Sequence, residues 1–155
     1  MALTTEQKAT LKTNILANPD ALAIYEIGDL QALADLYNQP ASPLYMVWRT
    51  DVSTIEIRSV LVWSEYDALS VSKQNAFAFL CANHVVNAAF PNVRTGISSI
   101  FAGPNQAGNL AALVAVAKRE ANRVERLFAT GTGSAASPGT LTFEGTLTFG
   151  DLIGL

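Results

Sequence analysis

Residues typical of helix starts and helix ends recur through the first 130 residues of this chain. Thr4 and Gln7 have the spacing of a capping box, in which each side chain bonds the other residue's backbone N–H. Ser53 and Glu56 repeat that spacing. Asn18-Pro19 predicts the end of one helix and the start of the next, because proline fits the first helical position. This succession of short helices favours a mainly α fold, with only short β-structure.

The intervening residues extend the same pattern. Gly28 predicts the end of the second helix, and Asp29 is placed to cap a third that runs through Tyr37. The apolar residues 44–48 indicate a short strand or an extended loop. Further helices are predicted from Thr54 towards Val62, from near Ser70 through Leu80 with several buried faces, and from an Asn92 cap through Phe101.

The longest predicted helix spans residues 106–129. Its apolar residues recur at spacings of three and four, the period of an amphipathic helix. On such a helix Arg119, Arg123 and Arg126 share one face. The stripe is either a solvated helix face or an electrostatic contact with an acidic partner or a DNA backbone.

The composition changes at residue 130. Residues 131–139 contain Gly, Ser, Thr, Ala and Pro without charge, which predicts a flexible linker between a helical domain (1–130) and a C-terminal tail (140–155). The tail holds a duplication, GTLTF at 139–143 and again at 145–149. Its period of six places the Leu and Phe residues on one face of a continuous strand; Glu144-Gly145 is alternatively the turn of a hairpin.

A short β-tail leaves backbone groups unpaired and apolar side chains uncovered. It either packs on its own domain, exchanges with a neighbouring copy, or adds a strand to another protein's sheet. On the last two alternatives the tail is a docking element. Its predicted partner-binding residues are then Leu141, Phe143, Leu147, Phe149, Leu152 and Ile153.

Charge and composition narrow the classes of function. The formal net charge is −3 and the pI about 5.0, which argues against a general nucleic-acid binder. One histidine and one cysteine exclude a metal site of several His and Cys ligands within one chain, and no metal or other cofactor is predicted. Neither a membrane span nor a secretory signal is expected from the apolar runs.

Charge is unevenly distributed along the chain. Residues 1–70 carry a net charge of −5 and residues 71–155 a net charge of +2. Copies that sit side by side could therefore join an acidic surface to a neighbour's basic surface.

Three residue pairs have types or spacings that can indicate functional groups. Cys81 and His84 have the spacing of a nucleophile pair, but a buried cysteine beside a loop histidine is the favoured interpretation. Glu65 and Asp67 are interpreted as helix caps rather than an acid/base pair. The two tryptophans, Trp48 and Trp63, are interpreted as core residues rather than as binding anchors. No enzymatic activity is predicted.

Several stretches together resemble a known family. They are NVRTGI (92–97), IFAG (100–103), AKR (117–119), ERLFATGTGS (125–134), Pro138 with TFEG (142–145), and VWRT (47–50) with Val52, Ser53 and Glu56. The pattern runs from about Tyr37 to the C-terminus. It resembles a family of small virion morphogenesis proteins encoded in the structural-gene cluster of tailed bacteriophages.

The resemblance implies a structural function. Head–tail adaptors of such phages are small helical subunits that form a ring beneath the portal and commonly dock through C-terminal extensions. The expected partners are further copies in a homo-oligomeric ring matching the portal symmetry, the portal protein, and a tail or stopper protein. The expected location is the head–tail junction of the virion, after synthesis in the host cytoplasm, with passive contact to DNA in the channel. The alternatives are a capsid cement or tail-completion protein and, from another class, a DNA-packaging or regulatory DNA-binding module.

Overall fold

The computed structural model describes residues 3–155 and forms ten helices and six short strands over them. The helices in the first half of the chain are α1 (Thr5–Ala17), α2 (Pro19–Glu26), α3 (Leu30–Asn38), α4 (Thr54–Ser59), α5 (Trp63–Asp67) and α6 (Val71–Leu80). The remaining helices are α7 (Pro91–Ile100), α8 (Ala107–Val116), α9 (Arg123–Leu127) and α10 (Phe149–Leu152). With 52% of the chain helical, the predicted mainly α class is confirmed.

The strands pair two by two into small sheets. They are β1 (Met46–Trp48), β2 (Val52–Ser53), β3 (Val85–Val86), β4 (Lys118–Glu120), β5 (Ala129–Thr130) and β6 (Thr140–Leu141). β1 pairs with β4, β2 with β3 and β5 with β6. The β2–β3 and β5–β6 pairs are antiparallel.

The predicted caps of the first four helices are confirmed. Thr4 and Ser53 both close capping boxes, at the starts of α1 and α4. The Asn18 and Asp29 side chains accept hydrogen bonds from the first turns of α2 and α3. Where α7 begins the prediction was wrong, because Phe90 and not Asn92 occupies the cap position and Pro91 starts the helix.

The helix predicted over residues 106–129 is wrong. α8 ends at Val116, β4 follows, and α9 begins only at Arg123. The intervening backbone bonds a distant segment instead of the preceding turn: Ala121 N–H donates to the Tyr45 carbonyl at 2.9 Å, and Arg123 N–H to the Gln39 carbonyl at 2.9 Å. A new capping box at Asn122 then starts α9.

The chain divides into two compact units. The first, called the terminal unit here, combines the residues up to Val47 with Glu120–Leu155. The second, the central unit, is the continuous segment Trp48–Arg119. This division differs from the predicted boundaries at 130 and 140, because both ends of the chain contribute to one core.

The core of the terminal unit contains residues from α1, α2, α3 and α9, and from the C-terminal segment. Its fully buried members include Leu11, Ile15, Leu33 and Val124. Phe143, from the first copy of the repeat, is 1% exposed and packs edge-on against Phe128 with ring centroids 5.8 Å apart. The C-terminal segment is therefore part of this core rather than a free extension.

Residues 131–139, predicted to be a flexible linker, are held by backbone hydrogen bonds. Met46 N–H donates to the Gly133 carbonyl at 2.7 Å, and Gly139 N–H donates to the Met46 carbonyl at 2.8 Å. The glycines allow a close approach of the Tyr45 ring, because a Cβ on Gly139 would lie 2.6 Å from the Tyr45 hydroxyl oxygen. Packing around Tyr45 thus explains Gly133 and Gly139, whereas Gly131 has a φ of 98°, which favours glycine.

The central unit has its own core, in which α6, α7 and α8 pack with the β2–β3 pair. Phe77 and Phe101 meet edge to face at 5.2 Å within it. α6 is less buried than predicted: Phe77 is its one fully buried residue, and Phe79 is 84% exposed.

Candidate functional site

The three arginines predicted to share a helix face lie on different elements. Arg119 is in β4, whereas Arg123 and Arg126 are on α9. The single stripe is therefore wrong, because the helix that would carry it is interrupted. Arg123 and Arg126 remain neighbours at a spacing of three and line one cleft of the terminal unit.

The position of α9 is fixed by the buried Glu125 carboxylate, which is 2% exposed. It accepts hydrogen bonds from Asn122 N–H at 3.1 Å and from Gly145 N–H at 2.9 Å. The Asn122 side chain returns a hydrogen bond to the Gly145 carbonyl at 2.8 Å. These bonds join α9 to the turn between the two repeat copies and hold both arginines in place.

The cleft has a volume of about 560 Å³ and a mostly polar lining. Its residues are Asn14, Asn18, Tyr37, Ser42, Arg123, Arg126 and Leu127. None of these residues carries a carboxylate. The cleft therefore presents two guanidinium groups, two amides and two hydroxyls to whatever enters it.

The Tyr37 hydroxyl is a fixed donor at the edge of the cleft. It donates to the Asn14 side-chain oxygen at 2.6 Å. Burial raises the pKa of Tyr37 to about 12, and the positive charge of Arg123 opposes that increase in part. Tyr37 therefore keeps its proton at neutral pH, and the cleft acquires no negative charge from it.

The two arginines differ in how they are held. Arg126 donates to the Pro43 carbonyl at 3.1 Å, and its guanidinium lies 6.0 Å from the centre of the Tyr45 ring. Among residues 3–155, no side-chain hydrogen bond or ion pair of Arg123 is found. Arg123 therefore has its charge available for a ligand, while Arg126 is already positioned by its neighbours.

The predicted docking residues of the C-terminal segment separate into two groups. Phe143, Leu147 and Leu152 are buried in the terminal core, so their side chains are not presented to a partner in this structure. Leu141 is half-buried, whereas Phe149 and Ile153 are exposed. The predicted strand over the repeat is also shorter than expected, since β6 comprises two residues and the second copy leads into α10.

The remaining candidate residues have structural positions. Cys81 is buried at the end of α6, and this burial raises the pKa of its thiol, which makes it a weak nucleophile. His84 is exposed in a turn with φ of 61°, and no hydrogen bond joins it to Cys81 within the described residues. The Glu65 carboxylate accepts Asn109 N–H at 2.8 Å and so caps α8 from a neighbouring segment.

Sequence reasoning missed two arginine sites in the central unit. Arg49 forms a double hydrogen bond to the Glu56 carboxylate, at 2.8 and 3.2 Å. This bond, together with the hydrogen bonds from Ser53 to the same carboxylate, lowers the pKa of Glu56 to about 2. Arg94 stacks over the Trp48 ring at 4.7 Å and donates to the Ala88 carbonyl. Neither contact has the spacing of a regular helix or strand, since Glu56 lies seven residues from Arg49 and Trp48 lies 46 residues from Arg94.

Two negative findings apply to residues 3–155. They contain no group of three or more His, Cys, Asp or Glu side chains placed to hold a metal ion. None of their helices combines the length and the apolar character needed to cross a membrane.

Comparisons of this chain with protein-family models, with curated proteins and with solved structures gave no match.

Proposed function

We propose that this chain is a structural protein of a tailed-phage particle, a head–tail connector whose copies form a ring between the portal and the tail. The family resemblance of residues 37–155 gives the proposal its context. The observation that carries it is a group of exposed apolar side chains on the central unit.

This group, called the apolar edge here, comprises Ile55, Phe79 and Val85. Ile55 is 78% exposed and Phe79 is 84% exposed. Val85 is the partner of Ser53 in the β2–β3 pair, and Thr54 N–H donates to the His84 carbonyl at 2.9 Å, so Ile55 and Val85 lie on adjacent segments. Phe79 belongs to the last turn of α6, which leads into that same turn at His84.

Exposed apolar side chains on neighbouring segments support a function in assembly. Single exposed apolar residues are ordinary, but contiguous ones favour protein–protein contact because water is released when they are covered. A subunit that assembles with the portal and with its own neighbours requires such a surface. The cleft arginines and the exposed Phe149 and Ile153 add further contact positions on the terminal unit.

The test is the copy number of this protein in purified particles, measured by quantitative mass spectrometry against the portal protein. A copy number equal to that of the portal supports the connector ring. A value on the order of the capsid subunit count would instead identify a cement protein. Complete absence from particles would contradict the structural proposal and favour the DNA-packaging or DNA-binding alternative.

A matched pair of variants tests the apolar edge itself. Ile55→Ser should reduce incorporation into particles, because it removes an apolar contact without touching either core. Val71→Ser is the control, since Val71 is 71% exposed but begins α6, about 12 Å along the helix axis from Phe79. Equal incorporation of the two variants would contradict the assignment of the apolar edge to assembly.

A further inference from the structure

The terminal unit carries an acidic surface as well as the arginine cleft. Residues 13–48 contain no Lys, Arg or His, and acidic residues occur in both α2 and α3. Glu26 and Asp35 are exposed on these helices. We define these two carboxylates, which lie on helices that pack against each other, as the acidic face. Asp35 also accepts a hydrogen bond from the Gln31 side chain at 2.9 Å. Asp29 is set apart because its side chain caps α3, and Asp20 because it lies in the first turn of α2, next to the cleft residue Asn18.

The acidic face cannot close on the cleft of its own chain. Asp35 is two residues from the cleft residue Tyr37 on α3, and residues at that spacing point to opposite sides of a helix. Glu26 is the last residue of α2, about 12 Å along the axis from the cleft residue Asn18 at its start. The cleft and the acidic face are therefore separate surfaces of one unit.

The cleft has the chemistry of a carboxylate site. A guanidinium offers paired N–H donors that match the two oxygens of a carboxylate, and charged hydrogen bonds of this kind are stronger than neutral ones. The lining brings two guanidiniums to one place and adds neutral donors at Asn14 and Ser42, while the Tyr37 proton is held by the Asn14 side-chain oxygen. Arg123 is without a side-chain partner among the described residues.

We propose that the arginine cleft of the terminal unit binds the acidic face of a second copy of this chain. Such a contact joins two different surfaces, so each copy keeps one cleft and one acidic face available for the next copy. A contact between unlike surfaces repeats head to tail and closes into a ring when the rotation permits. This inference rests on the proposed connector function and names the contact that joins neighbouring subunits of the ring.

The experiment is sedimentation velocity on the purified full-length chain over a range of concentrations. Wild-type protein should self-associate at about 0.1 M salt and lose that association at about 1 M, where the screening length falls to about 3 Å. Arg123→Glu should raise the dissociation constant at least about tenfold, because it places like charges in contact. Arg123 is the preferred position because its replacement breaks no side-chain bond found among residues 3–155.

A charge exchange makes the test specific. Glu26→Lys/Asp35→Lys should weaken self-association as Arg123→Glu/Arg126→Glu does. The chain that combines all four substitutions keeps the net charge of −3, and it should regain self-association because each contact again joins opposite charges. Lys12→Glu is the control, since this exposed lysine lies two residues from Asn14 and so on the other side of α1.

Four outcomes would overturn the inference. The first is a wild-type chain that stays monomeric at every concentration, and the second is equal weakening of self-association by Lys12→Glu. The third is no recovery of self-association in the fourfold variant. The fourth is that Arg123→Glu loses salt-sensitive DNA binding while its self-association is unchanged. The last would make the cleft a nucleic-acid site. Portal-level copy number with any of these outcomes would leave the connector function standing. If the protein is absent from particles but the fourfold variant regains self-association, the connector function alone would be overturned.

Discussion

The two compact units close their cores in different ways. The terminal unit joins the beginning of the chain to its end, and Phe143, Leu147 and Leu152 from the last 22 residues complete its interior. The central unit is one continuous segment whose core comes from residues 52–117. The C-terminal segment thus supplies interior side chains to one unit, whereas the core of the other is complete within one continuous segment. Both units also leave apolar side chains exposed, Phe149 and Ile153 in the first and the apolar edge in the second.

This difference separates folding from assembly. The C-terminal segment stabilises the terminal unit by packing with helices from the other end of the chain, and its buried apolar residues are not available to a partner. A unit that closes locally can leave apolar residues outside without losing its core. The surfaces that remain for partners are therefore the apolar edge, the arginine cleft and the acidic face, rather than the buried side of the repeat.

Truncation of the chain after Gly133 should have the largest effect. It removes Phe143, Leu147 and Leu152 together with the Gly145 bond to Glu125, so the terminal unit should lose its cooperative fold. Limited proteolysis with mass spectrometry would locate the cleavage sites, which should concentrate in α1–α3. A protease-resistant truncated chain that merely fails to assemble would show instead that the segment is a docking tail.

Phe143→Ala should destabilise the terminal unit by about 3–5 kcal/mol, the usual cost of emptying a buried phenylalanine site. Phe149 ends the second copy of the same five-residue repeat but is 49% exposed, so Phe149→Ala serves as the matched control. Its expected cost is below about 1 kcal/mol. Urea unfolding of both variants measures the difference, and equal costs would contradict the unequal burial of the two copies.

Asn109→Ala tests a buried polar contact in the central unit. The Asn109 side chain is fully buried and accepts Val62 N–H at 2.7 Å while donating to the Val62 carbonyl at 3.2 Å. Its removal leaves both backbone groups without these partners, at a cost of about 1–3 kcal/mol. Thermal unfolding against Asn105→Ala, in the exposed loop before α8, isolates the effect. A similar melting temperature for the two variants would contradict it.

A smaller, pH-dependent effect is expected at Glu56. Its pKa is lowered from 4.5 to about 2 by the Arg49 guanidinium and by Ser53, so the folded state favours the ionised form. The resulting stabilisation is complete above pH 4.5 and is lost as the pH falls through about 2. Glu56→Gln should therefore reduce the decrease in the free energy of unfolding between pH 4.5 and about pH 2. An unchanged acid limb would show that the pair contributes no pH dependence.

Local signals in the sequence were sufficient for the early helices. The caps at Thr4, Asn18, Asp29 and Ser53 each satisfy backbone N–H groups of the next few residues, so they act without tertiary structure. The break at residues 117–122 has a local signal too: Asn122 and Glu125 form a capping box. The apolar residues over 110–128 keep helical spacings of three and four through this break, so they predict one long helix even though the capping box indicates two.

The site required information that local patterns do not carry. The sequence predicts Arg123 and Arg126, together with Arg119, on one helix face. The cleft residues Asn14 and Tyr37 lie more than 80 positions away in the chain. The repeat makes the same point, since one GTLTF copy ends in a buried phenylalanine and the other in an exposed one. Identical sequences acquire different environments because Glu125 and Asn38 bind Gly145 and Leu147 at particular points of the segment.

Native-state hydrogen exchange on the intact chain tests most directly whether the C-terminal segment belongs to the terminal core. The amides of Gly145 and Leu147 donate to the Glu125 and Asn38 side chains at 2.9 and 2.7 Å. They should exchange as slowly as that of Leu33 in α3, because all three open only when the same core opens. Exchange of residues 140–152 at the rate of an unstructured peptide, with α3 still protected, would contradict this structure and restore the free docking tail.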